Sequence, residues 1–163
     1  MMTLDPSIGF AQLMKEAVSF SEAHVHDGGI PFAALVTDAA GRILGRGVNR
    51  VKEHHDPTAH AEVEAIRDAC RTHGHPYLRG ATLLASGEPC AMCYLIALHA
   101  GVAQVFFAVD RGEAAEHGFD YRGTYALFAR DPQTWHSPTV RKLGVPDGLR
   151  PFVDFRSIQR TTR

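Results

Sequence analysis

Two short motifs supply the side chains of a metal site with a neighbouring base. His60-Ala61-Glu62 is followed, 26 residues after Glu62, by the string Glu88-Pro-Cys-Ala-Met-Cys93. Zinc binds thiolate and imidazole ligands tetrahedrally, and catalytic zinc sites use three protein ligands and leave the fourth position to water. The residue types therefore predict a catalytic Zn²⁺ site with His60, Cys90 and Cys93 as its ligands.

The spacing indicates how two helices would present these ligands. A helix beginning at Pro89 places Cys90 and Cys93, three residues apart, on one face. The positive end of its dipole lowers the thiol pKa towards the thiolate that a metal needs. Asp56-Pro57-Thr58 is typical of a second helix start just before His60.

Glu62 is the candidate general acid and base. It stands two residues beyond His60 and points elsewhere, so it can reach water beside the metal without ligating the metal. A closed structural zinc site is the alternative, but it needs a fourth ligand. Cys70 lies ten residues beyond His60 on the same predicted helix, about 15 Å away at the rise of an α-helix, and is interpreted as a buried small hydrophobe. A redox Cys-x-x-Cys pair is disfavoured by the upstream His-x-Glu.

Composition narrows the class of substrate. The 163 residues, 45% of them hydrophobic, predict one domain over residues 1–163. A net charge of −1 and a pI near 6.8 favour a small uncharged substrate over nucleic acid. The sequence shows no secretory signal. Its longest apolar stretch is far shorter than the roughly 20 residues that a membrane-spanning helix needs. Cysteines needed as thiolates indicate a reducing compartment, and we expect a cytoplasmic protein.

Hydrophobic periodicity and turn residues predict alternating helices and strands, which indicates an α/β layered fold with a parallel portion in its sheet. The helix carrying the cysteines is apolar nearly all round, so we expect it to be buried between the sheet and another surface, which could be a partner subunit. The predicted helices cover residues 6–27, 58–72, 89–100, 121–129 and 149–159, and the predicted strands cover residues 32–36, 43–48, 81–86 and 102–109, the first two forming an antiparallel hairpin.

The string from Asp56 to Glu62, with the Pro-Cys-x-x-Cys motif after it, resembles the cytidine deaminase-like superfamily (CMP/dCMP-type zinc deaminases) from Gly28 to Val109. The motif pair is the signature of zinc-dependent nucleobase deaminases, and the bacterial guanine deaminases look closest. The resemblance implies a three-layer α/β/α fold with a mixed five-stranded sheet and helices on both faces. It also implies a homodimer, and we expect the C-terminal region near the subunit interface.

The resemblance also implies a substrate pocket. Asn49 matches an asparagine that hydrogen-bonds the base, and its alternative role is that of a turn residue at a strand end. Phe32 matches an aromatic residue that packs near the base, and its alternative role is that of a core aromatic. Asp120, in the string Gly-Phe-Asp, matches an aspartate that binds the purine, and its alternative role is that of a helix cap. His99 stands where guanine deaminases carry a tryptophan; it is a candidate substrate contact, with a buried structural histidine as the alternative. The family's terminal tyrosine has no counterpart.

We predict a zinc-dependent hydrolytic deaminase of a free nucleobase or a related aminated heterocycle. Deamination of guanine to xanthine and ammonia is the activity that the resemblance favours. The bulky Leu95 and Ile96 could instead shrink the pocket for cytosine or a nucleoside. A tRNA adenosine deaminase shares the histidine motif, but we would expect a more basic surface. A non-catalytic zinc-stabilised module is the alternative outside enzymes, and retention of Glu62 argues against it.

Two further features carry structural predictions. Glu88 could order the cysteine loop or favour the adjacent helix start. Six other histidines fall at predicted element ends or in loops and are interpreted as solvated surface residues: His24, His26, His54, His55, His73 and His75.

Overall fold

A computed structural model describes residues 6–161 of the chain. Two compact units are present, one reaching Phe128 and the other beginning at Ala129; one deaminase domain over residues 1–163 stays a prediction. The helices are α1 (Pro6–His26), α2 (Val51–His54), α3 (Ala61–His73), α4 (Ala91–Ala100), α5 (Arg111–Glu116) and α6 (Arg150–Thr161), and the strands are β1 (Ala33–Thr37), β2 (Ile43–Val48), β3 (Thr82–Gly87) and β4 (Gln104–Val109). Two 3₁₀ helices span Arg122–Ala129 and Pro132–Thr134.

The sheet has four strands in the order β2-β1-β3-β4. β1 pairs antiparallel with β2 and with β3, whereas β3 and β4 run parallel. The hairpin and the mixed sheet are confirmed, but the expected fifth strand is absent from residues 6–161. Immediately after β4, Asp110 and Glu113 form a reciprocal capping box that starts α5.

Alternate residues of the central strands build two separate cores. Leu35 and Leu84 pack with Ala17 of α1 on one face. Val36 and Leu83 lie in the other core, which includes residues of α3 and α4. Because successive strand side chains point to opposite faces, this division confirms the three-layer α/β/α arrangement with helices on both faces.

Two glycines of β2 allow α3 to lie directly on the sheet. A Cβ at Gly47 would stand 2.3 Å from the carbonyl oxygen of Ala61, and one at Gly45 would stand 2.5 Å from that of Ala65. The backbones of β2 and α3 therefore touch without an intervening side chain. This close approach sets the position of α3, and so of His60, which precedes it.

Helix α4 packs against the core on one side, and the second surface that we expect to cover it stays a prediction. Cys93 and Ala97 are buried, but Leu98 is 71% exposed and Leu95 45% exposed. Ala97 and Ala100 belong to the core that α4 shares with α3 and the sheet. Part of its apolar surface is thus left open.

The helices differ from their predicted bounds mainly at their starts. α3 begins three residues later than predicted and α4 two residues later, while α2 and α5 were not predicted. The predicted helix over residues 121–129 is a 3₁₀ helix. In the second unit α6 exposes Phe152 and Phe155. The sequence also predicts that Asp5 and Pro6 cap α1, and Asp5 lies outside the described residues.

Candidate zinc and substrate site

The ligand residues stand at the starts of two helices. His60 is the N-cap of α3 and Cys90 the N-cap of α4, both with extended backbone. Cys93 lies in the first turn of α4 and is buried. The sequence prediction placed all of them inside helices. At a cap the chain can still turn, which lets His60 and Cys90 aim at a common point from two different elements.

The three ligand atoms form a nearly equilateral triangle. Cys90 Sγ lies 3.5 Å from His60 Nδ1 and 3.6 Å from Cys93 Sγ, and Cys93 Sγ lies 3.6 Å from the same nitrogen. Tetrahedral zinc with bonds of about 2.3 Å to sulfur and about 2.05 Å to nitrogen needs S···N separations of about 3.6 Å and an S···S separation of about 3.8 Å. The side chains therefore fit a zinc ion. Within residues 6–161 they form the one cluster of three or more His, Cys, Asp or Glu side chains that could hold a metal ion.

The surroundings of Cys90 favour its thiolate form, which is the form that binds a metal cation. A hydrogen bond from Cys93, together with His60 nearby, lowers the pKa of Cys90 to about 4. The same contact raises the pKa of Cys93, and Cys90 beside it raises the pKa of His60. In the metal-free chain the two sulfurs therefore hold one proton between them. Zinc binding replaces this proton, so the affinity for zinc falls as the pH falls.

Glu62 is a buried carboxyl beside the triangle. It lies in the first turn of α3, is 4% exposed, and its Oε2 is 3.5 Å from Cys93 Sγ. Burial raises the pKa of Glu62 to about 7. A group with this pKa can both accept and return a proton near neutral pH. The carboxyl belongs to the cavity without belonging to the ligand triangle.

A cavity of about 260 Å³ opens beside these groups. Pockets for drug-sized ligands begin at about 300 Å³, so the size suits one small heterocycle. The residues that line it are Ile30, Phe32, Asn49, His60, Ala61, Glu62, Glu88, Cys90, Phe119, Asp120 and Tyr121.

Three of the four predicted pocket residues line this cavity. Asn49 is buried at the end of β2, and its Oδ1 accepts a hydrogen bond from the backbone N–H of Val51 at 3.2 Å. Phe32 contacts the ring of Phe119 edge to face, with centroids 5.2 Å apart. Asp120 is exposed and forms a two-point ion pair with Arg122, which lowers the pKa of Asp120 to about 2.

His99 is not brought to the cavity. It is exposed on α4, and neither Leu95 nor Ile96 is among the lining residues. Six residues along a helix turn a side chain about 120° away from Cys93 and move it about 9 Å along the axis. His99 therefore does not line this cavity within one chain, and its substrate contact stays a prediction.

The sequence did not predict four of the residues that line the cavity, two of them aromatic. Phe119 and Tyr121 flank Asp120, and the Tyr121 hydroxyl donates to the carbonyl oxygen of Glu88 at 2.6 Å. The Gly-Phe-Asp string was visible, but only its aspartate was considered. Ile30 and Glu88 also line the cavity.

Glu88 ties the cysteine loop to α5. Its carboxylate accepts hydrogen bonds from the backbone N–H and the guanidinium of Arg111 at 2.7–3.0 Å, and from Tyr94 at 3.3 Å. The Arg111 hydrogen bonds lower the pKa of Glu88. The Arg111 guanidinium also lies 3.5 Å from the ring centroid of Tyr125, whose hydroxyl donates to the Pro89 carbonyl. These contacts hold the loop that presents Cys90.

The prediction of surface histidines is wrong for His24. His24 is 6% exposed because the turn after α1 lies against its ring at Gly29, whereas His26 of the same helix is exposed. Helical periodicity does not register such a turn.

Comparisons with known proteins place the chain among deaminases. Residues 10–109 match the profile of the cytidine and deoxycytidylate deaminase zinc-binding region. The guanine deaminase of Bacillus subtilis is 43% identical over 145 residues, 88% of this chain and 92% of that protein. A tRNA-specific adenosine deaminase of Agrobacterium fabrum is 36% identical over 110 residues, 66% of each chain.

The solved structure of guanine deaminase from Bacillus subtilis has the same fold. It superimposes with a TM-score of 0.82 and 34% sequence identity, covering 90% of this chain and 93% of that one. The zinc-binding profile spans both motifs and the donor set fits zinc. The chain therefore belongs to the cytidine and deoxycytidylate deaminase family, whose members are zinc-dependent hydrolytic deaminases acting on C–N bonds.

Proposed function

We propose that this protein deaminates a free nucleobase, with guanine as the substrate and xanthine and ammonia as the products. The observation that carries the proposal is the buried Glu62 carboxyl beside a zinc-fitting triangle, at the wall of a cavity sized for one heterocycle. The extent of the likeness to the guanine deaminase of Bacillus subtilis supports guanine as the base.

His60, Cys90 and Cys93 would hold the zinc ion, which supplies a Lewis acid that makes water acidic enough to react near neutral pH. Two thiolates and a neutral imidazole leave the site formally uncharged, so proton removal depends on a neighbouring base. Glu62 takes a proton from the attacking water and delivers it to the amino group that leaves. One water is consumed, the C–N bond breaks, and ammonia is released.

The cavity walls provide the groups that would bind the base. Phe32 and Phe119 offer aromatic surface for the ring. Asp120 carries a carboxylate that can accept hydrogen bonds from the N–H groups of a purine. Asn49 carries an amide that can both donate and accept hydrogen bonds. Aromatic surface and hydrogen-bonding groups suited to a planar base thus line the same cavity.

Neither enzymatic alternative gains support from the pocket. Cytosine was favoured by the bulk of Leu95 and Ile96, which do not line the cavity. A tRNA substrate is suggested by the Agrobacterium fabrum relative, but a net charge of −1 offers little attraction for a polyanion. A non-catalytic zinc module would not need a buried carboxyl at the site.

The assembly and the compartment are also proposals. The exposed apolar side chains of Leu95 and Leu98 on α4 would be covered in a homodimer, and we expect the C-terminal region to lie near a subunit interface. Light scattering should give twice the chain mass, and Leu98→Asp should reduce it to the chain mass; a monomeric parent would refute the dimer.

Thiolate ligands suit a reducing cytoplasm. Within residues 6–161 no helix is long and apolar enough to cross a membrane.

Ammonia release from the zinc-loaded protein tests the function. The substrates are guanine, cytosine, adenine and their nucleosides. Glu62→Gln should retain zinc and fold but lose about 10²–10⁴-fold in turnover. Glu64→Gln is the matched control, because Glu64 lies on the same helix and pairs with Arg67. Near-normal activity of Glu62→Gln would remove Glu62 from its role, and release from another base alone would refute guanine.

A further inference from the structure

His24 is buried near the end of α1, where the neighbouring residues are exposed. It lies in the last turn of α1 and is 6% exposed, while Val25 and His26, which follow it, are exposed. A buried polar group needs a hydrogen-bond partner to offset the loss of water. The partner of His24 is therefore informative about why this side chain points inwards.

That partner is the backbone carbonyl of Asn49. His24 Nε2 lies 3.0 Å from the carbonyl oxygen, 25 residues along the chain. A carbonyl oxygen can only accept, so Nε2 must carry the hydrogen and donate it. The contact therefore selects the Nε2–H form of the ring and fixes its orientation.

Asn49 is held at three points by this arrangement. Its backbone N–H donates to the Phe32 carbonyl at 3.1 Å, its carbonyl accepts from His24, and its Oδ1 accepts from the Val51 N–H at 3.2 Å. The Nδ2 end of the amide remains to meet a ligand in the cavity that Asn49 lines. Each of the three contacts restrains the direction in which that amide points.

Gly29 makes room for the imidazole. A Cβ at this position would stand 2.1 Å from His24 Nε2 and 2.3 Å from Cε1. The ring thus rests against the backbone of the turn that leads to Ile30 and Phe32, two residues of the cavity wall. Any side chain at Gly29 would push the imidazole away from Asn49.

From these contacts we propose that His24 is a positioning residue, which orients Asn49 for substrate binding through the Asn49 carbonyl. The inference rests on the proposed function in one respect, namely that Asn49 contacts the base. His24 itself touches no substrate. Its removal should therefore weaken binding of the base more than it slows the chemical step.

The first test is the split between KM and kcat, measured on whichever base the parent enzyme deaminates. His24→Leu should raise KM about 10-fold and change kcat less than about threefold. His24→Gln should restore most of the affinity, because a glutamine amide N–H can replace the Nε2–H donor. His26→Leu is the matched control on the exposed side of the same helix and should leave both constants unchanged.

A double-mutant cycle separates positioning from general support of the fold. In an Asn49→Ala background, His24→Leu should change KM by less than about twofold, because the amide that it orients is gone. Gly29→Ala should reproduce the KM of His24→Leu. An unchanged KM in His24→Leu, or the same rise in KM with and without Asn49, would overturn the proposal. If His24→Leu does not fold, the Gly29→Ala and His24→Gln results decide in its place.

A readout without catalysis keeps this inference distinct from the proposed function. Long-range ¹H–¹⁵N NMR of the zinc-loaded protein should show His24 with its hydrogen on Nε2 and in slow exchange with solvent. A hydrogen on Nδ1 would refute the contact even if guanine is deaminated. Conversely, an Nε2–H signal with no release of ammonia from any base would refute the proposed function and leave the contact standing.

Discussion

Gly47→Ala should damage both stability and the zinc site, because it places a methyl group between β2 and α3. The new Cβ would stand 2.3 Å from the Ala61 carbonyl oxygen and 2.4 Å from the Ala65 nitrogen. Both are backbone atoms, which no change of rotamer can move aside. Ordinary contact begins at 3.4 Å, so α3 must shift by about 1 Å from the sheet.

That shift would be felt at the site because His60 and Glu62 lie at the start of α3. Inserting a methyl group into a tight contact costs about 1–3 kcal/mol of the free energy of unfolding. A displacement of about 1 Å in a catalytic group can cost about 10²-fold in rate. We therefore expect a loss of about 2 kcal/mol, weaker zinc binding and about 100-fold slower turnover.

Urea unfolding, competition with a chromophoric zinc chelator and ammonia release measure these three effects. Gly9→Ala is the matched control: Gly9 lies in α1, and a Cβ there meets nothing within 4 Å. The same substitution there should stabilise the protein by about 0.5–1 kcal/mol. A Gly47→Ala protein with the parent's urea midpoint and zinc affinity would refute the close contact between β2 and α3.

Three further predictions concern the metal, its loop and its thiols. Removing zinc with a chelator should lower Tm by about 5–10 °C in scanning fluorimetry if zinc had been present at about 100 times its Kd; an unchanged Tm would argue against a site built into the fold. Glu88→Gln should cost about 2 kcal/mol at pH 7. Since Arg111 lowers the pKa of Glu88 from its usual 4.5, the wild-type advantage is complete above that pH and should disappear as the pH falls through the lowered pKa, whereas an equal difference at pH 3 and 7 would contradict it. Iodoacetamide should label Cys90 first in the metal-free protein, because its pKa is lowered. It should label Cys93 last, because Cys93 is buried and its contact with Cys90 raises its pKa; mass mapping checks the order, and zinc should protect Cys90.

Local patterns predicted much of the first unit. The hairpin of β1 and β2 followed from alternating runs around a turn, and the helices bearing the motifs followed from apolar spacing and cap residues. The errors at helix starts have a single cause. His60 and Cys90 are N-caps, and a cap is defined by backbone direction and not by residue type alone.

Burial was the property that sequence patterns predicted least well. The apolar composition of α4 predicted burial between the sheet and a second surface, and within one chain Leu98 is exposed. His24 was interpreted as a surface residue and is buried, because a turn through Gly29 folds over it. Both outcomes depend on which elements are neighbours in space, and a one-dimensional pattern does not contain that information.

The sequence by itself determined the chemistry: a donor set suited to zinc, a carboxyl two residues from the histidine, and the helix and strand types that carry them. Residue type sets ligand preference, and spacing along one element sets which side chains share a face. The tertiary structure alone decided that the ligand atoms converge to 3.5–3.6 Å and that burial raises the pKa of Glu62. It likewise decided that Asp120 reaches the cavity and His99 does not. Distances between elements and exclusion of water arise only when the layers pack, because each element's position depends on contacts with residues far away in the chain.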